Sequence, residues 1–243
     1  MTGKLIPGAL HSCLEVAMSF PEITQASVAS RFPALKSRNT CRGFVIYQNR
    51  VVWFESHLEL MVFFMLALLP GVATIQEQPP AVTYQDGETF HHHTFDFLVI
   101  FRDGSRMYVA VKPAARVISS RIEHVLGLIA TQMPPDKLAS IRLITDADFT
   151  YADRFNAIQA YDFCMDPIKE HDDAMTSLIS EISGAVRIAD LVSASGLGAM
   201  GFRSIVRLIA YRQLAAVKPG ERITYDTFVR PVDGAAKSIA IAR

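Results

Sequence analysis

The chain is short of cysteine, of long apolar runs and of net charge, and each shortage excludes a class of protein. Its three cysteines, Cys13, Cys41 and Cys164, are far apart and form no CxxC pair. That spacing argues against a zinc site and a disulfide framework, and it fits the reducing cytoplasm. The longest apolar run, Leu60–Leu69, is too short to cross a bilayer and too internal for a signal peptide. We therefore expect a cytoplasmic protein with no membrane partner.

The formal net charge is zero, yet the charges are unevenly spread along the 243 residues. Residues 1–50 carry a net charge of +4 and residues 185–243 carry +5, whereas residues 51–184 carry −9. Basic ends around an acidic centre indicate that the ends meet a polyanion while the centre holds cations. Ordinary scatter of surface charge is the alternative. Half of the residues are hydrophobic and a fifth are charged, which predicts a folded core.

Periodicity and composition divide the chain into four parts. Residues 1–40 are a basic arm that includes a short helical pattern at Ile23–Phe32. Residues 41–165 alternate between strand and helix patterns, which predicts a mixed sheet flanked by helices, an α/β fold. Residues 166–233 follow the order helix, turn, longer helix and β-hairpin, which is typical of a winged helix-turn-helix domain. Residues 234–243 are a small, apolar tail.

Several segments of the first domain have clear local patterns. Phe44–Phe54 alternates around two turn residues and predicts a hairpin. Phe90–Phe101 and Met107–Val111 predict an antiparallel pair of strands joined by the turn at Asp103-Gly104. Ile118–Thr131 has helical periodicity.

Three chemically suited residues fall on neighbouring elements of this domain. Glu59 lies in the apolar helix that follows Ser56, Asp96 lies at the start of one strand, and Lys112 ends the next strand. Hydrolysis of a phosphodiester needs a cation held by hard oxygens, a water deprotonated near it, and a positive group that stabilises the developing charge. The two carboxylates suit the first task and the lysine the last. Such a site normally carries an acid or amide two residues before the lysine, where this chain has Ala110.

Glu59 and the neighbouring histidines also have plainer interpretations. Glu59 stands three residues after Ser56, which is the capping-box spacing, so its alternative role is to cap the helix. Within His91-His92-His93, strand parity puts His92 on the same face as Asp96, where it would be a softer ligand that favours Mn²⁺ or Zn²⁺. A solvated strand end is the alternative for these histidines, and we prefer it.

These motifs resemble a known family. In order and spacing they are similar to the endonuclease subunit of heteromeric transposases, the TnsA family. The segments that carry the resemblance are ESHLE (Glu55–Glu59), LLPGV, EQPP (Glu77–Pro80), TFDFLV, VAVKP, TDADF (Thr145–Phe149) and Asn156. The resemblance covers most of residues 35–230. It implies an α/β restriction-endonuclease-like core with a mixed sheet, of the PD-(D/E)xK type, followed by a C-terminal winged helix-turn-helix domain.

The resemblance also implies a metal site. In that family a helix Glu, a strand Asp, a Glu or Gln, and a Lys form it; carried over, these are Glu59, Asp96, position 110 and Lys112. The chain departs from the pattern at Phe95, where Pro is usual, and at Ala110, where the ligand is lost. Changes even to groups that only support metal ligands cost about 10–100-fold in affinity or activity, and losing a ligand itself costs at least as much. The cofactor is Mg²⁺ or Mn²⁺ if the site is active and none if it is not. In the second case Asp96 and Lys112 are a relic ion pair.

The second domain carries candidate DNA contacts. In a helix-turn-helix the second helix enters the major groove, where its early residues reach bases and flanking basic groups hold phosphates. We expect Met200–Leu214 to be that helix. The candidate DNA-binding residues are Arg203, Arg207 and Arg212 on the helix, Lys218 and Arg222 on the wing, and Arg38 and Arg42 in the N-terminal basic segment. A winged helix used for protein contacts is the alternative.

Three functions are compatible with these features. The first is a nucleoid-associated protein that binds double-stranded DNA through a degenerate nuclease domain and acts as a regulator or architectural subunit. The second is an active Mg²⁺- or Mn²⁺-dependent DNA endonuclease subunit of a transposon or defence system. The third is an interaction module of a transposition complex that binds a transposase or ATPase partner. A homodimer is compatible with each of them.

Overall fold

The computed structural model of the protein describes residues 24–31, 41–134 and 140–232. Within these ranges the strands are β1 (Gly43–Tyr47), β2 (Arg50–Phe54), β3 (Val72–Glu77), β4 (Val82–Asp86), β5 (Thr89–His93), β6 (Phe97–Phe101), β7 (Arg106–Val111), β8 (Ser140–Ile144), β9 (Val186–Arg187), β10 (Leu214–Ala216) and β11 (Phe228–Pro231). The helices are α1 (His57–Ala67), α2 (Ala114–Ser120), α3 (Ile122–Gln132), α4 (Tyr151–Met165), α5 (Lys169–Ser180), α6 (Ile188–Ser195) and α7 (Ala199–Ala210). Arg38, one of the candidate DNA contacts, lies outside the described residues, as does the tail after residue 232.

The centre of the first domain is a four-stranded sheet in the order β3-β6-β7-β8. The first three strands pair antiparallel, and β8 pairs with β7 in parallel. The parallel pair requires a crossover, which α2 and α3 supply between β7 and β8. The expected α/β class with a mixed sheet is therefore confirmed.

Helix α1 is the buried helix of this domain. Ser56 caps it in an extended conformation, and its hydroxyl accepts a hydrogen bond from the backbone N–H of Glu59 at 3.1 Å. The helix is apolar on all sides and contributes Phe63 and four other buried residues, as expected for a helix enclosed by the fold. No helix in the described ranges has both the length and the apolar character needed to span a bilayer.

Alternation along the strands divides the core into two clusters, one on each face of the sheet. On the first face Val109 and Val111 pack with α1, in what we call the α1 cluster. On the other face Tyr108 and Ala110 pack with α3, in the α3 cluster, which also holds Phe95. The two faces are covered by different helices, so the sheet is buried on both sides.

The segment predicted as one strand, Phe90–Phe101, is two strands. Residues of β5 pair with β4, Val82 opposite His93, in a hairpin separate from the main sheet. After a break at residues 94–96, β6 pairs with β3 and β7 instead. The expected strand was wrong because the two halves have different partners, which local alternation does not reveal. The predicted helix Ile118–Thr131 is likewise divided, at Arg121, whose backbone is left-handed (φ 53°).

The described part of the N-terminal helical pattern, residues 24–31, is extended rather than helical. Gln25 forms a parallel bridge with Arg50 of β2, and Ser30 donates its backbone N–H to the carbonyl of Gln78 at 2.9 Å. Its short polar side chains bond to another segment instead of favouring a helix. We call residues 24–31 the N-terminal strap because they run along β2 and the end of β3.

A buried ion pair fastens this strap to the sheet. Arg50 and Glu77 are only 8% and 0% exposed, and the guanidinium donates to the carboxylate at 2.6 Å. The same guanidinium donates to the carbonyl of Ile75, and the hydroxyl of Ser27 donates to the other oxygen of Glu77. Because both charges are fully hydrogen-bonded, the pair tolerates burial.

The C-terminal elements form a second core. Helices α5, α6 and α7 pack around Met175, Ile188 and Ile205, all fully buried. Helix α6 ends at Gly196, whose left-handed backbone (φ 67°) turns the chain toward α7. The three short strands form an antiparallel sheet in the order β10-β11-β9.

Helix α4 belongs to both cores. Ala157 packs in the α1 cluster and Ala160 in the C-terminal core. Asn156 of the same helix donates its amide to the carbonyl of Glu221 at 2.9 Å and accepts from the backbone N–H of Ile223 at 2.8 Å. These contacts hold the two halves in one arrangement.

Asn156→Ala should therefore destabilise the whole chain. Its loss leaves the backbone groups of Glu221 and Ile223 without partners, which we expect to cost about 2–3 kcal/mol in urea unfolding. The control is Gln159→Ala on the same helix, whose buried Oε1 has no hydrogen-bond partner. A loss of stability no larger for Asn156→Ala than for this control would contradict the bridging role of Asn156.

Candidate functional site

The structure brings Glu59, Asp96 and Lys112 to one end of the sheet. Asp96 immediately precedes β6, Lys112 immediately follows β7, and Glu59 lies in the first turn of α1. The charges of Glu59 and Lys112 both act on Asp96, the first raising the pKa of its carboxyl and the second lowering it. The three residues that the sequence analysis singled out are therefore neighbours.

Asp96 is the most perturbed carboxyl of the group. Burial, followed by the negative charge of Glu59, raises its pKa to about 7. The backbone N–H of Val111 donates to its Oδ2 at 2.7 Å and opposes that shift. A carboxyl in this state is about half ionised at neutral pH and attracts a positive partner.

Glu59 is already engaged as a cap. Its Oε2 accepts the backbone N–H of Glu55 at 2.8 Å, and its Oε1 accepts the hydroxyl of Ser56 at 2.8 Å. Burial raises the pKa of this carboxyl, and these two hydrogen bonds oppose the rise. Ser56 therefore caps the helix, but Glu59 accepts the backbone N–H of Glu55 rather than that of Ser56, so the reciprocal half of the expected capping box is not formed. Both oxygens of Glu59 have partners within the protein.

Lys112 acts on the site through its charge. Its backbone N–H extends the β7–β8 ladder by donating to Ile144 at 3.0 Å, which fixes where the side chain begins. Among the ion pairs of the described residues, none joins Lys112 to Asp96. The alternative of a relic ion pair between these two residues is therefore wrong for this geometry.

Ala110 occupies the position across from Asp96. Phe97 pairs with Val109, so extending the antiparallel register by one residue puts Asp96 opposite Ala110. Ala110 is 2% exposed and packs in the α3 cluster. The methyl group of Ala110 is therefore part of the α3 cluster and offers no oxygen to the site.

The donor set does not fit a tightly held divalent metal. Both oxygens of Glu59 and one oxygen of Asp96 accept hydrogen bonds from the protein, and Ala110 supplies no oxygen. Mg²⁺ binds through one or two carboxylates only when it keeps several waters and a near-octahedral geometry. In the described part of the chain no group of three or more His, Cys, Asp or Glu side chains is placed to hold a metal ion.

The structure places His93 beside the site, whereas the sequence analysis named His92. His92 bonds to Thr83 across the β4–β5 hairpin, 3.0 Å from Nδ1 to the hydroxyl. His93 lies edge-on to Phe95, has a buried Nε2 without a hydrogen-bond partner, and its pKa is lowered by burial and then by Lys112. The alternation that put His92 on the same face as Asp96 does not apply, because the strand is broken between His93 and Asp96.

Arg31 is the functional side chain that the sequence analysis missed. Its two terminal nitrogens donate to the two carboxylate oxygens of Glu55 at 3.2 Å, and its Nε donates to the Oε1 of Gln78 at 2.8 Å. Its positive charge lowers the pKa of both Glu59 and Asp96. Only the excess of basic residues near the N-terminus pointed toward it, without distinguishing it from its neighbours.

Arg207 is not a DNA contact. Its side chain is 2% exposed and donates from Nε and from a terminal nitrogen to the carboxylate of Asp172 on α5. It also bonds the carbonyl of Phe163 and the hydroxyl of Ser204. The expectation of a phosphate contact was wrong. Helical spacing shows on which side of a helix a residue lies, but not whether that side packs against other helices.

Arg203 also faces inward, toward α4. Its guanidinium lies over the ring of Phe163 at 4.3 Å from the centroid and 4.0 Å from Asp162. Helix α7 as a whole is buried at seven of its twelve positions and packs against α4, α5 and α6. Arg203 is thus engaged with α4 while 28% of its side chain remains exposed, and its role as a DNA contact stays a prediction.

The remaining basic candidates lie on the surface, except one. Arg212, Lys218 and Arg222 are exposed, and Arg222 stacks on Phe155 at 3.7 Å from the ring centroid. Arg42 is only half-buried, but its Nε is enclosed and has no hydrogen-bond partner. Among these candidates the exposed cations are therefore Arg212 at the end of α7 and Lys218 and Arg222 in the turn between β10 and β11, where Lys218 lies 3.7 Å from Glu221.

No protein-family model matches this chain, and no curated protein matches it significantly. The interpretation of the site thus depends on its own geometry.

The raised pKa of Asp96 predicts a pH dependence of stability. Its folded pKa of about 7 lies above the ordinary aspartate value of 3.8, so this group costs no stability below pH 4 and costs increasingly more as the pH rises toward 7. Asp96→Asn removes this loss of stability with pH, and its amide oxygen can still accept the hydrogen bond from the backbone N–H of Val111. We expect the variant to exceed the wild type in free energy of unfolding at pH 8, on the order of 1–3 kcal/mol, with the difference disappearing near pH 4.

Urea unfolding of both proteins from pH 4 to pH 8 measures this difference. Asp103→Asn is the control, because Asp103 is an exposed turn residue whose pKa is lowered by its hydrogen bonds to Ser105. A difference between Asp96→Asn and the wild type that stays constant with pH would contradict the raised pKa.

Arg207→Gln should destabilise the C-terminal core strongly. It leaves the carboxylate of Asp172 without its partner, and breaking such a buried pair costs about 3–5 kcal/mol. Arg203→Gln is the matched control on the same helix and should cost about 1 kcal/mol or less, because that side chain is 28% exposed. Equal losses in urea unfolding would show that the two arginines are not distinguished by burial.

Proposed function

We propose that this protein binds double-stranded DNA through a TnsA-like, restriction-endonuclease-like domain whose metal site has decayed. It acts as a DNA-binding regulator or architectural subunit rather than as a nuclease. The observation that carries the proposal is the meeting of Asp96, Glu59 and Lys112 at one end of a mixed sheet, with Ala110 in place of the third ligand.

The order of elements supports the fold part of the proposal. A buried helix, α1, precedes three antiparallel strands, β3, β6 and β7, and a helical crossover then leads to the parallel strand β8. The aspartate and the lysine sit at adjacent ends of two neighbouring strands. This is the arrangement that the PD-(D/E)xK pattern requires.

The hydrogen bonds of the carboxylates support the loss of catalysis. Metal-dependent hydrolysis needs oxygens that are free to bind the ion. Here both oxygens of Glu59 accept hydrogen bonds, from the backbone N–H of Glu55 and the hydroxyl of Ser56, and one oxygen of Asp96 accepts from Val111. A DNA-binding role needs only the positive charges at this end of the fold.

Exposed cations close to the site provide the phosphate contacts. Helix α2 follows directly after Lys112 and exposes Arg116, and Arg121 lies exposed at its end. On the C-terminal half, Lys218 and Arg222 project from the turn between β10 and β11. Contacts of this kind hold phosphates without reading sequence.

The burial of α7 favours a second function for the C-terminal half. We propose that this winged-helix-like unit contacts a protein partner, such as a transposase or ATPase subunit, instead of reading bases. Its helix-turn-helix elements are present in order, but α7 is enclosed by α4, α5 and α6.

The first test compares binding and cleavage. Wild type should bind duplex DNA in EDTA, measured by fluorescence anisotropy, with an affinity that falls steeply with salt, by a slope of about −0.9 per phosphate contact. Lys112→Ala with Arg116→Ala should reduce that slope by nearly two. Arg102→Ala with Arg142→Ala, two exposed arginines away from the proposed phosphate contacts, are the control.

Supercoiled plasmid with Mg²⁺ and then Mn²⁺ provides the cleavage test. Wild type should nick no faster than Asp96→Asn in either metal. Nicking by wild type that Asp96→Asn abolishes would contradict the proposal and support an active endonuclease subunit. Negligible DNA binding at low salt would instead support a pure interaction module.

Ala110→Glu probes why the site is inactive. It introduces a carboxylate opposite Asp96, at a position that is 2% exposed, so we expect a lower melting temperature without metal. Partial recovery of that temperature in Mn²⁺, with new nicking, would mean that the lost ligand alone retired the site. A folded but inert variant would mean that further residues changed as well.

A further inference from the structure

The mismatch between the site and a divalent metal has a physical counterpart in the N-terminal strap. We infer that Arg31 is the resident cation of this site, held beside Glu59 and Asp96 by Glu55 and Gln78, and that it excludes Mg²⁺ and Mn²⁺. This inference rests on the proposed nuclease-like identity of the site and deepens it, since it explains how the carboxylates are balanced without a metal.

The strap delivers Arg31 along a continuous set of hydrogen bonds. Gln25 bridges to β2, Val28 accepts from the side chain of Gln76 at 3.2 Å, and the hydroxyl of Ser30 donates to the carbonyls of Gln78 and Pro79 at 2.7 and 3.1 Å. The backbone that leads to residue 31 is therefore positioned by contacts with β2 and with the residues at the end of β3. Arg31 does not depend on its own charge to reach the site.

The guanidinium is oriented as well as positioned. Three of its five N–H groups are used, one by Gln78 and two by the paired oxygens of Glu55. A bidentate fork of this type fixes the plane of the group, which a lysine cannot reproduce. Glu55 in turn donates its backbone N–H to Glu59, so the arginine and the carboxylate of Glu59 share one residue.

Gln78 supports the same arrangement at a cost. It is 5% exposed and adopts a left-handed backbone (φ 43°), which is unfavourable for a residue with a side chain. In this conformation its N–H donates to the carbonyl of Asp96 at 2.9 Å while its own carbonyl accepts from Ser30. One residue thus connects the strap, the end of β3 and the start of β6.

The charges of the cluster explain the exclusion of metal. Glu55, Glu59 and Asp96 form an acidic group, and the positive charges of Arg31 and Lys112 both act on Asp96. A divalent ion that approaches Asp96 meets the repulsion of these two positive charges. Arg31 is 46% exposed, and its bonds to Glu55 and Gln78 are what keep its charge at this place.

Metal binding in the absence of DNA tests the inference. Binding of Mn²⁺ to the full chain at pH 8 is measured by the electron paramagnetic resonance signal of free Mn²⁺, for wild type, Arg31→Gln and Arg31→Lys. Arg31→Gln should bind Mn²⁺ at least about tenfold more tightly than wild type, because one repelling charge is removed. Arg31→Lys keeps the charge but loses the fork to Glu55 and Gln78, so it should bind Mn²⁺ more tightly than wild type and less tightly than Arg31→Gln.

Two controls separate the site from general charge effects. Arg102→Gln removes an exposed arginine at the opposite end of β6 from Asp96 and should leave Mn²⁺ binding unchanged. Adding Asp96→Asn to Arg31→Gln should abolish the gain, since the new ion would bind at Asp96. Arg31→Met is measured in parallel, so that a poorly folded Arg31→Gln protein does not leave the question open.

The inference is overturned if wild type and both neutral variants bind Mn²⁺ with equal affinity, or if the gain persists with Asp96→Asn. Neither outcome depends on DNA. A protein that fails to bind DNA but gains a metal site in Arg31→Gln would contradict the proposed function and leave Arg31 as the resident cation.

Discussion

The buried ion pair between Arg50 and Glu77 constrains everything around the candidate site. Two charges taken out of water are tolerated only when each hydrogen bond is made, so β2, the end of β3 and the N-terminal strap must meet in one arrangement. The next residue, Gln78, is then placed between the strap and Asp96. Through this chain of contacts a structural ion pair determines where Arg31 lies, and with it the electrostatics of the carboxylates.

A second buried pair, Arg207 with Asp172, has the same role in the C-terminal half. It joins α7 to α5 and helps enclose α7. The shared helix α4 then links the two cores through Asn156. The turn between β10 and β11 remains exposed and carries Lys218 and Arg222.

Local signals predicted much of the fold. The hairpin at Phe44–Phe54 and the cap at Ser56 depend on residues close in the sequence, and both are confirmed. The strand expected over Phe90–Phe101 was wrong, because its two halves pair with different strands. The same error led to the choice of His92 instead of His93, since side chains alternate between the two faces only within an unbroken strand. The strap was missed because its structure comes from partners about 25 to 50 residues away.

The sequence by itself predicted which residues would come together: two carboxylates and a lysine, on a helix and on the ends of two neighbouring strands. It also determined the mixed α/β class, because strand and helix periodicities are local. Only the tertiary structure decided how these groups are used. Burial raises the pKa of Asp96, local hydrogen bonds occupy Glu59, and long-range hydrogen bonds bring in Arg31 while Arg207 is withdrawn from the surface. Burial and hydrogen-bond partners depend on which distant segments pack together, and the periodicity of the sequence does not predict that.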